Sequence, residues 1–270
     1  MIGHQLFRAL CFCLFVSLTV SIQAQTDSTL VLAATDSTQT VPVSDSTMVA
    51  PDNTAATQFR ATDLILPGSL IAVGTFGMYS KWFHGIREDV RDQMNDWRGN
   101  HRIHLDDYMK FMPLTAHLAL GLAGVKGRHS NRERLCLTFT SYAIMSMTAY
   151  TMKFTMREHR PDNGEPNSYP SGHCATVFLG AELVRMEYGT AYGIAAYAMA
   201  TGVAFLRIYN GRHWLNDVIG GAGVGILAAR IGRWLLPWER KVLGWKGDSD
   251  FAIIPSVQPH GMSLSMTMGL

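Results

Sequence analysis

Arg207-Ile208-Tyr209-Asn210-Gly211-Arg212-His213-Trp214-Leu215-Asn216-Asp217 runs without a break into an apolar stretch that continues to Leu236. His213 and Asp217 stand at i and i+4, so on a helix the carboxylate reaches the imidazole. A carboxylate bonded to one ring nitrogen fixes the tautomer and leaves the other nitrogen available as a nucleophile. A carboxylate at the start of an apolar helix also needs a partner, because an unpaired charge is costly there. The apolar stretch carries Gly220-Gly221-Ala222-Gly223-Val224-Gly225. Gly221 and Gly225 form a small-xxx-small face that lets a neighbouring helix approach closely.

Working outward, two more groups sit at the edges of apolar segments. Lys153 and Arg160 are seven residues apart, close to two helical turns, and Pro161 opens a loop behind them. Two cations at the polar end of an apolar helix suit an anion, and the planar fork of Arg fits phosphate oxygens. Taken alone they also fit simple anchoring at a membrane interface. Tyr169-Pro170-Ser171-Gly172-His173 leads into the next apolar segment. Ser171 is placed to cap that helix, Gly172 allows close backbone approach, and the free N–H groups of the helix start attract an anion. His173 then stands beside that anion as a proton donor. Cys174 reads as a small packing residue rather than a nucleophile.

Composition sets the surroundings. The 270 residues are 47% hydrophobic and only 16% charged, well below the ~25% usual for soluble domains. A polar N-terminal stretch keeps the mean hydropathy at +0.07. The net charge of +2 and the lack of long Lys/Arg runs argue against nucleic-acid binding. Residues 1–24 read as a secretory signal, with Arg8, an apolar core over 9–22 and Ala24 before the cut. Ile22 is a poor residue three positions before cleavage, which leaves an uncleaved anchor as the alternative. Residues 25–60 are a Ser/Thr/Asp-rich spacer that cannot bury a core.

Six apolar segments follow, over roughly 63–80, 108–125, 135–152, 174–189, 190–206 and 215–236. Most approach the ~20 residues of a bilayer crossing. The expected fold is therefore all-α, a membrane-embedded bundle of about five to six transmembrane helices. Residues 61–107 form a hydrophobic segment and an interfacial amphipathic helix, residues 108–238 the catalytic bundle and residues 239–270 a tail. Glu182 and Arg185, at i and i+3, are expected to face the bundle interior. His101 and His104 beside Asp106 and Asp107 read as a solvated polar loop rather than a metal site.

The three groups together supply three cations (Lys153, Arg160, Arg207), two imidazoles (His173, His213) and an orienting carboxylate (Asp217). If their junctions share one membrane face, they can converge on one phosphate. The three stretches resemble the three-part signature of the phosphatidic-acid-phosphatase type 2 (PAP2) and haloperoxidase superfamily. Lys153-x6-Arg160-Pro161 and Pro170-Ser171-Gly172-His173 are complete. In the third part Arg207, His213 and Asp217 match, while the family's Ser position holds Leu206.

That resemblance implies a PAP2/chloroperoxidase-like bundle and a metal-independent phosphatase. His213 would attack phosphorus and Asp217 would orient it. His173 would protonate the leaving group and later activate water. Lys153, Arg160, Ser171, Gly172 and Arg207 would bind the phosphoryl group, with no cofactor and no metal. The implied substrate is a lipid phosphate monoester or diphosphate: undecaprenyl diphosphate, phosphatidic acid, phosphatidylglycerol phosphate or a lipid A phosphate. The implied partners are that substrate and membrane lipids, with no obligate protein partner. A vanadate-dependent haloperoxidase-like enzyme and a non-catalytic lipid-phosphate binder are the alternatives.

Lys126, Arg128, Arg132 and Arg134 fill one loop, which the positive-inside rule assigns to the cytoplasm of a bacterial inner membrane. The motif junctions then face the periplasm. Region 81–110 also holds Lys81, Arg87, Arg91, Arg98, Arg102 and Lys110, so charge alone does not fix the orientation; an outward site requires either that segment 63–80, broken by Pro67, Gly68, Gly74 and Gly77, is re-entrant or interfacial, or that the first apolar stretch is not a working export signal.

Overall fold

The structure, a computed structural model, describes residues 59–245 and the backbone of residues 251–258 and 261–268. The expected signal over 1–24, and the spacer up to residue 58, lie outside the described residues. A 3-10 turn over Ala61–Leu64 leads into α1 (Ile65–Tyr79). Then come α2 (Lys81–Arg98), the single turn α3 (Asp106–Met109), α4 (Met112–Leu122) and α5 (Asn131–Met156). The chain continues with α6 (Gly172–Tyr188), α7 (Thr190–Tyr209) and α8 (Leu215–Val242). After α8, β1 (Phe251–Gln258) and β2 (Gly261–Met268) pair antiparallel, Phe251 opposite Met268, which adds a hairpin to the expected all-α fold.

The glycine stripe of α8 makes it the hub. A Cβ on Gly225 would collide with the Ala175 carbonyl, and one on Gly221 would come within 2.6 Å of the Ser171 carbonyl oxygen. On another side of α8, a Cβ on Gly223 would meet the Pro67 carbonyl oxygen at 2.8 Å. Backbone thus packs directly on backbone, which only glycine allows. These contacts also fix direction. Ser171 and Ala175 pass Gly221 and Gly225 in the same order, so α6 and α8 are parallel. Gly74 lies against Gly220, Ile71 against Gly223, and Asp63 accepts from Arg230 through its carbonyl, so α1 runs antiparallel to α8. Ser141 beside Gly232, and Glu133 paired with Arg240, make α5 antiparallel as well. Arg185 packs on Gly193 and Tyr197 bonds Glu182, closing the α6–α7 hairpin.

This alternation sorts the connections onto two ends. Residues 80–111, 157–171 and 210–214 occupy one end, and residue 60, the 123–130 loop and Gly189 the other. All three motif junctions therefore share one end of the bundle. Segment 63–80 is a continuous helix along the length of α8 rather than a re-entrant loop, because Gly74 and Gly77 serve as contact points and not as breaks. Glu182 is fully buried as expected, bonded by Arg185, Arg230 and Tyr197.

The expected five to six transmembrane helices need correction. Three among the described residues are long and apolar enough to cross a membrane: Ala61–Tyr79, Thr190–Tyr209 and Leu215–Val242. Helix α4 has 11 residues, roughly 16 Å, about half of a hydrocarbon core. Helix α6 has 17 residues and carries Glu182, Arg185 and Glu187. Helix α5 is long enough, but Arg132, Glu133 and Arg134 and several hydroxyl residues dilute its apolarity. Its outward face still presents Leu135, Phe139, Met147, Tyr150 and Phe154, exposed along much of its length.

Gly225→Ala is expected to lower stability by about 1–3 kcal/mol, the usual cost of overpacking. Gly202→Ala, where a Cβ meets nothing within 4 Å, is expected to be neutral or slightly stabilising. Thermal unfolding of the detergent-solubilised variants measures the contrast, and equal melting temperatures would contradict the backbone-contact account.

Candidate active site

The third junction is built first by local geometry. Helix α7 ends at Tyr209 and Gly211 turns the chain at φ +68°, a conformation natural to glycine. His213 and Trp214 follow before α8 begins at Leu215. Asp217 lies in the first turn of α8, and its Oδ2 accepts from the Trp214 N–H at 2.9 Å. The same oxygen accepts from the Ser168 hydroxyl. His213 Nδ1 faces this pair, 3.5 Å from Asp217 Oδ2 and 3.4 Å from Ser168 Oγ. The other ring nitrogen, Nε2, makes no hydrogen bond among the described residues and is not sealed from solvent.

The second junction lies alongside. Ser171 caps α6, its hydroxyl oxygen accepting from Cys174 N–H at 3.5 Å. Its own N–H donates to the Asp217 carbonyl at 2.9 Å, so the expected anion nest at Ser171 loses one donor to the scaffold. The N–H groups of Gly172 and His173 have no backbone acceptor among the described residues.

At the first junction α5 stops at Met156, where Arg157 takes a left-handed conformation at φ 50°. Arg160 is thus in a loop, and the two-turn helical alignment expected for Lys153 and Arg160 does not occur. Asn167 brings them together instead. Its carbonyl accepts from Lys153 Nζ at 2.5 Å and its side-chain oxygen accepts from Arg160 Nε at 2.5 Å. The two terminal guanidinium nitrogens of Arg160 have no partner among the described residues.

Arg207, at the end of α7, is buried. Its Nη1 donates to Asp106 Oδ2 at 2.6 Å, while its Nε is buried without a partner. His173 Nε2 lies 2.8 Å from Asp107 Oδ1 and 3.2 Å from Lys110 Nζ. Asp106, Asp107 and His173 bring donor atoms within 4.8 Å of one another. Arg207 and Asn210 occupy Asp106, and His173 occupies Asp107, so the cluster is an internally paired charge network.

Electrostatics show how closely these groups gather. Burial pushes His213 well below the ordinary imidazole range, and Arg207, Lys153, Arg160 and His173 all push the same way. Burial, then Arg207, lowers His173 to about 4, with the Asp107 hydrogen bond working to raise it. Partial burial works to raise Asp107, but its hydrogen bond to His173 and the nearby cations hold it below its usual value. Both imidazoles are thus neutral in the empty site near pH 7.

The structure brings Lys153, Arg160, Ser171, Gly172, His173, Arg207, His213 and Asp217 to the same end of the bundle. Sequence reasoning missed Asn167, Ser168 and Lys110, and read Asp106 and Asp107 as solvated. Asp106 and Asp107 stand just before an apolar segment, as Asp217 does, and that shared position is the signal that marks them. Sequence reasoning also missed Arg87 on α2, which donates to Glu158 at 2.5 Å and stacks 4.6 Å over the Trp214 ring, bracing the first and third junctions.

An apolar helical bundle thus gathers three cations, two imidazoles and a buried carboxylate at one end, groups suited to holding an anion. Residues 134–241 match the family model of the PAP2 superfamily. The chain is also similar to the lipid A 1-phosphatase of Porphyromonas gingivalis, 34% identical over 154 residues. The aligned residues are 56% of this chain and 35% of that protein, so the chain spans about a third of the relative's length. No solved structure matches the chain.

Asp106→Ala is expected to cost about 3–5 kcal/mol of stability, because it leaves the Arg207 guanidinium buried without its partner. Asp107→Ala, at a half-exposed position, is expected to cost about 1 kcal/mol or less. Melting of the two variants in detergent checks this ordering.

Proposed function

We propose that this chain is a membrane-embedded, metal-independent phosphatase that hydrolyses a lipid phosphate through a phosphohistidine at His213. The observation that carries this reading is the turn of His213. Its Nδ1 faces Asp217 and Ser168, which leaves Nε2 for phosphorus, and three cations act on the same ring. His213 Nε2 attacks phosphorus in line, and the leaving oxygen takes a proton from His173. Water activated by His173 then releases phosphate from His213. Lys153, Arg160 and Arg207 neutralise the phosphoryl oxygens as charge develops, the task a metal performs elsewhere. The orphaned Nε of Arg207 and the Gly172 and His173 N–H groups are donors such an oxyanion would satisfy. An arriving phosphate dianion also raises His173 toward its protonated form, arming the acid only when substrate is present. Leu206 in place of the family's Ser costs one phosphate hydrogen bond but none of the reacting groups.

The similarity to a lipid A 1-phosphatase makes a lipid A phosphate the leading substrate, ahead of undecaprenyl diphosphate, phosphatidic acid and phosphatidylglycerol phosphate. The exposed apolar stripe of α5 and the three membrane-length helices support a lipid setting, the inner membrane of a bacterium.

Purified protein in detergent is expected to release phosphate from lipid A in the presence of EDTA, and to be inhibited by vanadate. His213→Ala is expected to lower the rate more than ~10³-fold. Acid-labile label trapped on the wild type but not on this variant would mark the intermediate. A His213→Ala variant as fast as wild type would remove that ring from the mechanism.

The site is proposed to face the periplasm, with the 123–130 loop, which carries Lys126 and Arg128, and the adjoining Arg132 at the start of α5 in the cytoplasm. Because α1 runs the length of the bundle, an exported spacer and a periplasmic site exclude each other, and the basic loop favours the site. In intact spheroplasts a membrane-impermeant thiol reagent is expected to label Asn163→Cys, and to label Lys126→Cys only after lysis. The reverse pattern would put the site in the cytoplasm.

A further inference from the structure

The three motif stretches contain nothing between residues 106 and 110, yet this turn supplies both polar neighbours of His173 Nε2. Asp107 Oδ1 lies at 2.8 Å and Lys110 Nζ at 3.2 Å. His173 Nδ1 makes no hydrogen bond among the described residues and is not sealed from solvent. A neutral imidazole carries one N–H. If Nε2 were bare, its lone pair would point at a carboxylate oxygen 2.8 Å away, a repulsive contact. With the proton on Nε2 the same contact is a hydrogen bond to a charged acceptor, one of the stronger kinds. Lys110 Nζ competes for the same nitrogen at the longer distance, while its charge also acts on the Asp107 carboxylate. Arg207 Nη1, 3.7 Å from Asp107 Oδ1, also holds that carboxylate in place.

We propose that Asp107 is a positioning residue of the phosphatase site: its carboxylate accepts the Nε2–H of His173 and fixes Nδ1 as the nitrogen that exchanges protons with substrate and water. This rests on the reading of His173 as the acid given above. The proton traffic balances on Nδ1 alone. In the first step the P–N bond to His213 forms as the P–O bond breaks, and the Nδ1 proton of His173 passes to the leaving oxygen, leaving that ring neutral with its proton on Nε2. In the second step water gives a proton to Nδ1, its oxygen bonds phosphorus, and the P–N bond to His213 breaks. The Nε2–H stays on Asp107 throughout. Without the carboxylate the neutral ring has no reason to keep its proton on Nε2, and the wrong tautomer blocks the second step.

Lys110 gives the arrangement a second consequence. Its ammonium works against protonation of the ring from 3.2 Å, and the Asp107 carboxylate offsets that charge. The charged and titratable groups facing His173 are thus Asp106, Asp107 and Lys110 from the α3 turn, Arg207 from α7 and His213 from the loop before α8. Of these the two carboxylates favour the protonated ring, and Asp107 is the one that bonds it, Asp106 being taken up by Arg207.

The sign of the pH effect follows. His173 must be protonated for the first step, and the Asp107 bond works to raise its proton affinity against burial and Arg207. Removing that charge shifts the loss of kcat on the alkaline side to lower pH.

The test compares wild type, Asp107→Asn, Asp107→Glu, His173→Ala and His213→Ala in detergent. One substrate is dioctanoyl phosphatidic acid, whose alkoxide leaves only with a proton. The other is p-nitrophenyl phosphate, whose phenolate leaves without one. Asp107→Asn is expected to lose roughly 10-fold or more in kcat on the first substrate, and little in the first-turnover burst of p-nitrophenolate from the second, because the later hydrolysis of phosphohistidine is common to both. Its alkaline limb on the first substrate is expected to move to lower pH and Asp107→Glu to restore it. Equal losses in that burst and on the first substrate, with an unmoved limb, would overturn the role of Asp107, while His173→Ala and His213→Ala remained inactive in turnover. Wild-type rates in those two histidine variants would instead bring down the reading of the site itself.

Discussion

Asp217 is the residue on which the site depends. Its side chain accepts from Ser168 and from the Trp214 N–H and faces His213, and its carbonyl accepts from the Ser171 N–H. One buried residue in the first turn of α8 thereby ties the loop after α5, the start of α6 and the loop after α7. A carboxylate withdrawn from water needs several donors to be tolerated, and here they are Ser168 from the loop after α5 and the Trp214 N–H and Asn216 amide from the third stretch. Satisfying Asp217 and assembling the site are therefore the same event. The imidazole it faces is held with Nδ1 toward the carboxylate and Nε2 away from it.

The frame that permits this is the glycine face of α8. With backbone against backbone at Gly221 and Gly225, α6 lies close enough for the Ser171 N–H to reach the Asp217 carbonyl. On the other side Gly74 lets α1 sit against Gly220, and Tyr169 reaches across to Thr75 and to the Ile71 carbonyl. In an apolar medium helices gain little by hiding hydrophobic surface from one another, so close packing and interhelical hydrogen bonds must hold the bundle. The buried Glu182, with Arg185, Arg230 and Tyr197, supplies such bonds toward the end away from the site.

The outer wall of the site comes from a segment that carries no motif. The α3 turn lays Asp106 on Arg207 and Asp107 on His173, and Asn210 binds the Ile103 backbone at both its N–H and its carbonyl. Arg87 and Arg98 on α2 reach the first and third junctions from the same side. A site that must hold two neutral imidazoles among several cations needs carboxylates to balance those cations. This wall provides them without placing one between His213 and the space where phosphorus would lie.

The sequence alone determined what depends on neighbours a few residues apart. The spacings of Lys153, Arg160, His173, Arg207, His213 and Asp217, and the apolar segments between them, located the helices to within a few residues and named most of the site. Caps, turns and i, i+4 pairs are local, so they can be read along the chain. The tertiary structure decided the rest: that Asn167 rather than a shared helix joins Lys153 to Arg160, that Ser171 spends its N–H on the scaffold, that α1 runs the full length of the bundle, and that Asp106, Asp107 and Lys110 belong to the site. Each of these depends on which groups meet across distances of many residues, where a polar group's partner is chosen by helix packing and not by spacing along the chain.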